Sequence, residues 1–147
     1  MITSPFIEET QLTCLQNLAM IPALLHSAIL GLLTAAVPLK TIATATLLAI
    51  SEGGGLIVDP TAVEASRATS VHALGFTSDD ELLLVESEGS FSPDEWSKVL
   101  REGERICCQQ PGEDTAMDGG SSLESASIKD FIRAVMETKV AGDLHWK

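Results

Sequence analysis

Apolar residues recur at Ile21, Leu24, Leu25, Ala28, Ile29, Leu32, Leu33 and Ala36. That is the i, i+3, i+4, i+7 spacing of one helix face. The other side carries Ala23, His26, Ser27, Gly31, Thr34 and Ala35, which are small or polar. The pattern predicts a helix packed in a core, with Pro22 as its first residue and Pro38 helping to stop it. Residues 41–50, TIATATLLAI, are rich in Thr, Ile and small residues, as in a strand buried on both faces. SEGGG (51–55) reads as a turn, and LIVD (56–59) as a short strand ended by Pro60. Residues 60–67 suit one helical turn, with Asp59 before the proline as its expected N-cap. TSVHALGFT (69–77) and ELLLVE (81–86) read as two strands joined by the polar SDD link.

The period then changes from two to 3.6. In SFSPDEW, Ser92 is a candidate N-cap, Pro93 the first helical residue and Glu95 the acid of a capping box. Trp96, Val99, Leu100, Gly103, Ile106 and Cys107 mark the inner face of that helix. Residues 109–122 carry little apolar content and are expected to be disordered, with the linker at 111–122. A last helix is expected in 123–147, with Ile128, Phe131, Ile132, Val135 and Met136 on one face. The fold class that follows is α+β, a mixed sheet packed with helices, with residues 1–20 as a variable N-terminal segment.

Composition narrows the function. The chain has 147 residues, 21 acids against 9 bases and a formal net charge of -12, which disfavours an autonomous nucleic-acid binder. Its acidity suits a solvated surface or an acidic face that docks on basic partners. Cys14, Cys107 and Cys108 are odd in number, and two are adjacent. Neither a disulfide framework nor a cysteine zinc site is expected, and reduced thiols suit a cytosolic or nuclear setting. No charge occurs from Thr10 to Leu39, long enough for a membrane span near residues 12–36. Gln11, Gln16, Asn17, His26 and Ser27 interrupt the run, and the helical stripe favours a soluble core.

No catalytic constellation assembles. Gly53, Gly54 and Gly55 are not followed by the Lys-Ser/Thr of a phosphate loop. His26, His72 and His145 stand far apart, with no partner at metal-ligand spacing. His26 reads as a satisfied core histidine and His72 as a strand residue. Cys107 and Cys108 fall near a helix end, where the dipole disfavours a thiolate, and read as core and rim thiols. No metal site, cofactor or catalytic residue is expected.

The blocks AILGLLTAAVPL, TLLAI, LIVDPTAVEASRATSVHALGF and ELLLVESEGSFSPDEWSKVLREGERIC, in this order, resemble the second half of an RNase PH-type domain. That family includes bacterial RNase PH, polynucleotide phosphorylase and the ring subunits of the eukaryotic exosome core. The resemblance covers residues 21–110, so only the C-terminal half of the family domain is represented. About 20 residues precede the matching helix, none of them Lys or Arg. In phosphorolytic members a catalytic acid lies shortly before the alternating strand, and by matching blocks that position falls at about Thr69. A threonine cannot serve as a carboxylate acid or metal ligand. The resemblance therefore implies a noncatalytic ring subunit rather than an active phosphorolytic exoribonuclease. It implies other RNase PH-like subunits as partners, RNA contact only through the complex, no membrane, and a home in nucleus, nucleolus and cytoplasm. RNA-binding residues stay unassigned, with Arg67, Lys98, Arg101 and Arg105 as weak candidates. Without a first half, the helix at 21–36 and the strand at 41–50 are expected to lose part of their cover. Such a chain is unstable alone or oligomeric.

Overall fold

A computed structural model describes the backbone of residues 5–108 and 128–144, with side chains from residue 17 onward. The elements run α1 (Pro5–Thr34), β1 (Ala43–Ser51), β2 (Leu56–Val58), α2 (Ala62–Arg67), β3 (Ala68–Thr77), β4 (Leu82–Gly89), α3 (Pro93–Cys108) and α4 (Ile128–Leu144). The four strands form one sheet in the order β2-β1-β3-β4. Every pairing is antiparallel. The α+β class holds, but the mixed pairing expected of the sheet does not occur. Short turns join β1 to β2 and β3 to β4, and α2 turns the chain back beside β1, so no crossover forces a parallel pair.

Strand β1 is buried on both faces, from Ala43 through Ile50. One face carries Leu48 and Ile50 beside Leu74 and Phe76 of β3, and meets Val99 and Cys107 of α3. The other carries Leu47 and Ala49 beside Val71 and Ala73, and meets Ala65 of α2 with Leu18 and Ile21 of α1. The alternation works because β1 and β3 hold large residues on the α3 side and mostly small ones on the α1 side, which lets α1 approach closely. The loss of cover expected for residues 41–50 is therefore not seen. β1 has a helical layer on each face, β3 along its length on one side and β2 beside residues 48–50 on the other.

Helix α1 departs from expectation in two ways. It begins at Pro5, with Pro22 in its interior. Proline removes one backbone bond there, but Ile21 and Leu25 on either side pack into the core, and that packing carries the helix through. Its sheet-facing stripe is Leu18, Ile21, Leu25 and Ile29, whereas Leu24 and Leu32 are exposed. The sheet is narrow, and it covers only one side of the helix. At the far end, Ala36 adopts φ 56°. The Ala36 N–H bonds the Leu33 carbonyl and the Val37 N–H the Leu32 carbonyl, each at 3.0 Å. These bonds close a Schellman stop before Pro38.

His26 of α1 reaches the uncovered side of β1, where its Nε2 accepts the Ala45 N–H at 2.9 Å. β2 pairs only with residues 48–50, so the ring supplies an acceptor where a strand partner is missing. Helix α4 closes one end of the molecule. Ile132 is fully buried in a cluster with Ile29 and Ala43, and Ile128 packs on it. Phe131 is 51% exposed and Met136 also faces outward, so the expected inner face rotates toward Ile128 and Ile132. The linker expected at 111–122 lies outside the described residues.

Candidate functional site at the start of strand β3

The stretch that carries the RNase PH resemblance folds as a tight return from β2 to β3. Asp59 has φ 50°, and its backbone N–H bonds the Leu47 carbonyl at 2.9 Å. It is not the N-cap of α2. That role belongs to Thr61, whose N–H and Oγ1 both donate to Glu64 Oε2, at 2.8 and 2.7 Å. The Glu64 N–H returns a bond to Thr61 Oγ1. The Thr-x-x-Glu spacing of a capping box was present in the sequence and outweighs the Asp-Pro signal. Bonds from the Thr61 hydroxyl, then from its backbone, hold the Glu64 carboxyl below the usual carboxylate range.

Helix α2 ends at Arg67, and Ala68, its C-cap, is already extended. Thr69 is therefore the second residue of β3, and it is exposed. Its carbonyl accepts the Ser90 N–H at 3.1 Å. Gly89, at φ 102°, crosses so close that a Cβ there would lie 2.3 Å from the Thr69 carbonyl oxygen. Only glycine fits this crossing. A threonine at this place offers a hydroxyl and no carboxylate, so the segment keeps its strand and turns without an acid at that position.

Immediately after Thr69 on β3 lies a buried polar cluster. His72 is completely buried and Ser70 nearly so. His72 Nε2 lies 2.9 Å from Ser70 Oγ, and Nδ1 lies 2.8 Å from Ser87 Oγ of β4. Phe91 meets the imidazole edge-on at 4.7 Å, with Trp96 at 5.7 Å. Burial lowers the His72 pKa, and the Glu95 charge opposes this in part. A serine beside a histidine invites a hydrolytic reading. Here Ser70 and His72 are sealed beneath the ring pair, so no substrate reaches them. The cluster instead fastens β4 and the N-terminus of α3 to the sheet. His26 is likewise bonded, as expected for a core histidine. His145 lies outside the described residues.

Three of the four basic candidates share one surface, interleaved with acids, and Arg67 stands apart. Lys98, Arg101 and Arg105 line an open groove of about 740 Å³ along α3 together with Asp80, Glu102 and Glu104. Arg105 is engaged by Glu102 through two bonds, and Arg101 Nε bonds the Ser97 carbonyl. Arg67 ends α2, which packs on the opposite face of the sheet. Cys107 is buried, its thiol pushed up to about 11 by desolvation. Cys108 is pushed up to about 12, first by burial and then by Asp80. Neither is a nucleophile near neutral pH. Among the described residues, no group of three His, Cys, Asp or Glu is placed to hold a metal ion.

Comparison with known proteins bears on the fold. Residues 41–106 match the family profile described as 3′ exoribonuclease family, domain 2. The crystal structure of Rrp46 from rice (Oryza sativa) superposes with TM-score 0.60 at 21% identity, covering 80% of this chain and 48% of that one. At that identity the likeness is one of fold. The chain spans about half the length of the rice protein. A search of curated protein sequences found no match.

Proposed function

We propose that this chain, which carries the RNase PH-type C-terminal domain over residues 41–106, is a structural subunit of an exosome-type ring without phosphorolytic activity of its own. The observation that carries the reading is Thr69, exposed at the head of β3, where the resemblance to phosphorolytic members puts a catalytic acid. The surroundings support it: α2 is capped, Gly89 crosses closely and β3 is complete, so the frame of such a site stands without its acid. The sequence blocks also resemble the exosome ring subunit called ribosomal RNA-processing protein forty-six, in line with the fold of rice Rrp46. The subunit would hold RNase PH-like neighbours through sheet and helix surfaces and support 3′-to-5′ RNA processing, including that of ribosomal RNA. It would meet RNA through the assembled ring and follow that ring to nucleus, nucleolus and cytoplasm.

Two measurements test this. The chain is expected to release no nucleoside diphosphate from poly(A) with inorganic phosphate. Turnover that vanishes in Thr69→Val would overturn the inactive assignment. Co-expression with RNase PH-like ring subunits is expected to give a stoichiometric complex by size exclusion, and failure to co-elute with any of them would remove the ring assignment.

After an active phosphorolytic exoribonuclease, a membrane span is the third reading, since the window Asn17–Thr34 has mean hydropathy 1.6 and is 17% buried. The same helix, however, gives Ile29 to the core and His26 to the edge of β1. A bilayer would have to remove both.

A further inference from the structure

Strand β4 ends the sheet on one side. It pairs with β3 alone, in unbroken register from Ser70↔Gly89 to Gly75↔Leu84. Among the described residues no backbone bond reaches its outer edge. The Ser90 N–H bonds the Thr69 carbonyl, and antiparallel backbone bonds alternate from residue to residue. Counting back from Ser90, Val85 and Ser87 therefore turn their N–H and C=O groups outward. The side-chain bond between His72 and Ser87 agrees, since opposite residues lie closest in the pairs that exchange no backbone bond. Such an edge is a template for one more strand. We propose that the free edge of β4 is a docking site for an extended segment of another polypeptide, in which basic and apolar residues alternate.

The side chains of β4 state what that segment must carry. Val85 and Ser87 lie opposite Leu74 and His72, on the α3 side of the sheet. Leu84, Glu86 and Glu88 take the other side. Leu82, Leu83 and Val85 are 46%, 55% and 38% exposed, because the sheet runs past the helices that cover its centre. In an added strand, the residues opposite Glu86 and Glu88 share one face, so Lys or Arg there meets both carboxylates. The residues opposite Val85 and Ser87 fall on the α3 side, where an apolar side chain covers Val85.

Charge decides against a second copy. No Lys or Arg occurs from residue 68 to residue 97, whereas Asp79, Glu81, Glu86 and Glu88 lie in or beside β4. Lys129 reaches Asp80 at the hairpin turn, but among the described residues Glu86 and Glu88 have no ion-pair partner. Two β4 edges would bring like charges onto one ribbon. The acids that repel a copy attract a basic segment. This docking uses β4 alone and does not depend on the ring assignment.

The test is fluorescence anisotropy of labelled peptides titrated with the full chain. One peptide alternates Lys and Val over eight residues, the length of β4. A second alternates Glu and Val. A third is the Lys-Val peptide with its valine amides N-methylated, which removes the donors that would face β4. The Lys-Val peptide is expected to bind about tenfold tighter than either of the others. Val85→Pro deletes an outward N–H and leaves the bonds to β3 in place. It is expected to lose the Lys-Val peptide with an unchanged circular dichroism spectrum. Glu86→Lys with Glu88→Lys changes only side chains on the exposed edge, and is expected to prefer the Glu-Val peptide; it carries the test if the proline variant fails to fold. No saturation by the Lys-Val peptide up to about 1 mM, equal binding of the N-methylated peptide, or an unaltered preference in the charge-reversed variant would each overturn the proposal. So would a wild-type dimer that Val85→Pro dissociates, which would give the edge to a second copy.

Discussion

Single residues set two measurable properties. Ala36 stops α1 from a left-handed conformation, φ 56°, that costs a residue with a Cβ roughly 1–2 kcal/mol. Ala36→Gly relieves that strain and loses part of the gain to the freer unfolded chain, so we expect stabilisation of about 0.5–1 kcal/mol. A urea midpoint at or below wild type would contradict the Schellman assignment. The second property is pH. Burial lowers the pKa of both His26 and His72, with Glu95 partly offsetting it at His72. A base whose pKa is depressed on folding binds fewer protons folded than unfolded. Its contribution is therefore complete above the unfolded value of about 6.5 and is lost as pH falls through 6.5 toward the folded value. This window lies above that of Glu64, Glu95 and Glu102, whose carboxyls are all held low by hydrogen bonds. Urea midpoints should fall between about pH 7.5 and pH 5.5, and His26→Gln should flatten the curve. An equal midpoint at the two values would refute the coupling.

At the scale of elements, legibility followed how local each signal is. Helix α3 was readable because Ser92, Pro93 and Glu95 form a start signal within four residues, and the Ser92 N–H and hydroxyl do bond Glu95 Oε2. β1 was readable because its burial on both faces leaves no polar alternation. Helix α2 was placed correctly but given the wrong cap, since Asp-Pro and Thr-x-x-Glu signals overlap and only backbone geometry decides between them. The outward face of α1 was not legible. Leu24 and Leu25 are equivalent as letters, and only the narrow sheet puts one outside and the other in the core. Helix α4 poses the same choice between adjacent residues. Ile132 is fully buried and Phe131 is 51% exposed. Ile132→Ala is expected to cost about 2–5 kcal/mol, and Phe131→Ala about 0.5 kcal/mol or less in the monomer. Equal losses measured by chemical denaturation would mean that α4 docks in another rotation.

For the whole molecule, the layers explain why the basic candidates are split between two faces. α2 and α1 cover one face of the sheet and α3 the other, so Arg67 and the α3 cations never share a surface. The site was legible as a position, since the Asp-Pro-Thr turn and the alternating strand give its address. The buried Ser70–His72–Ser87 cluster was not legible, because its members are brought together by the β3–β4 register and not by spacing. With net charge -12 and the α3 groove sharing its cations with acids, isolated affinity for single-stranded RNA should be weaker than about 1 µM near physiological salt. Submicromolar binding in a filter assay would overturn this expectation.

The strand order has a consequence for how the chain reaches this state. All four strands lie between Ala43 and Gly89; β2–β1 and β3–β4 join consecutive strands, and the central pair β1–β3 skips only β2 and α2. The slowest closure the sheet requires is the one bridged by β2 and α2, since loop-closure entropy grows with the length spanned. Contacts this local place the domain among quick folders for a sheet protein. All its strands precede α3 and α4 in sequence, so strand pairing can begin before those helices dock, while burial of Leu48, Ile50, Leu74 and Phe76 waits for Val99 and Cys107 of α3.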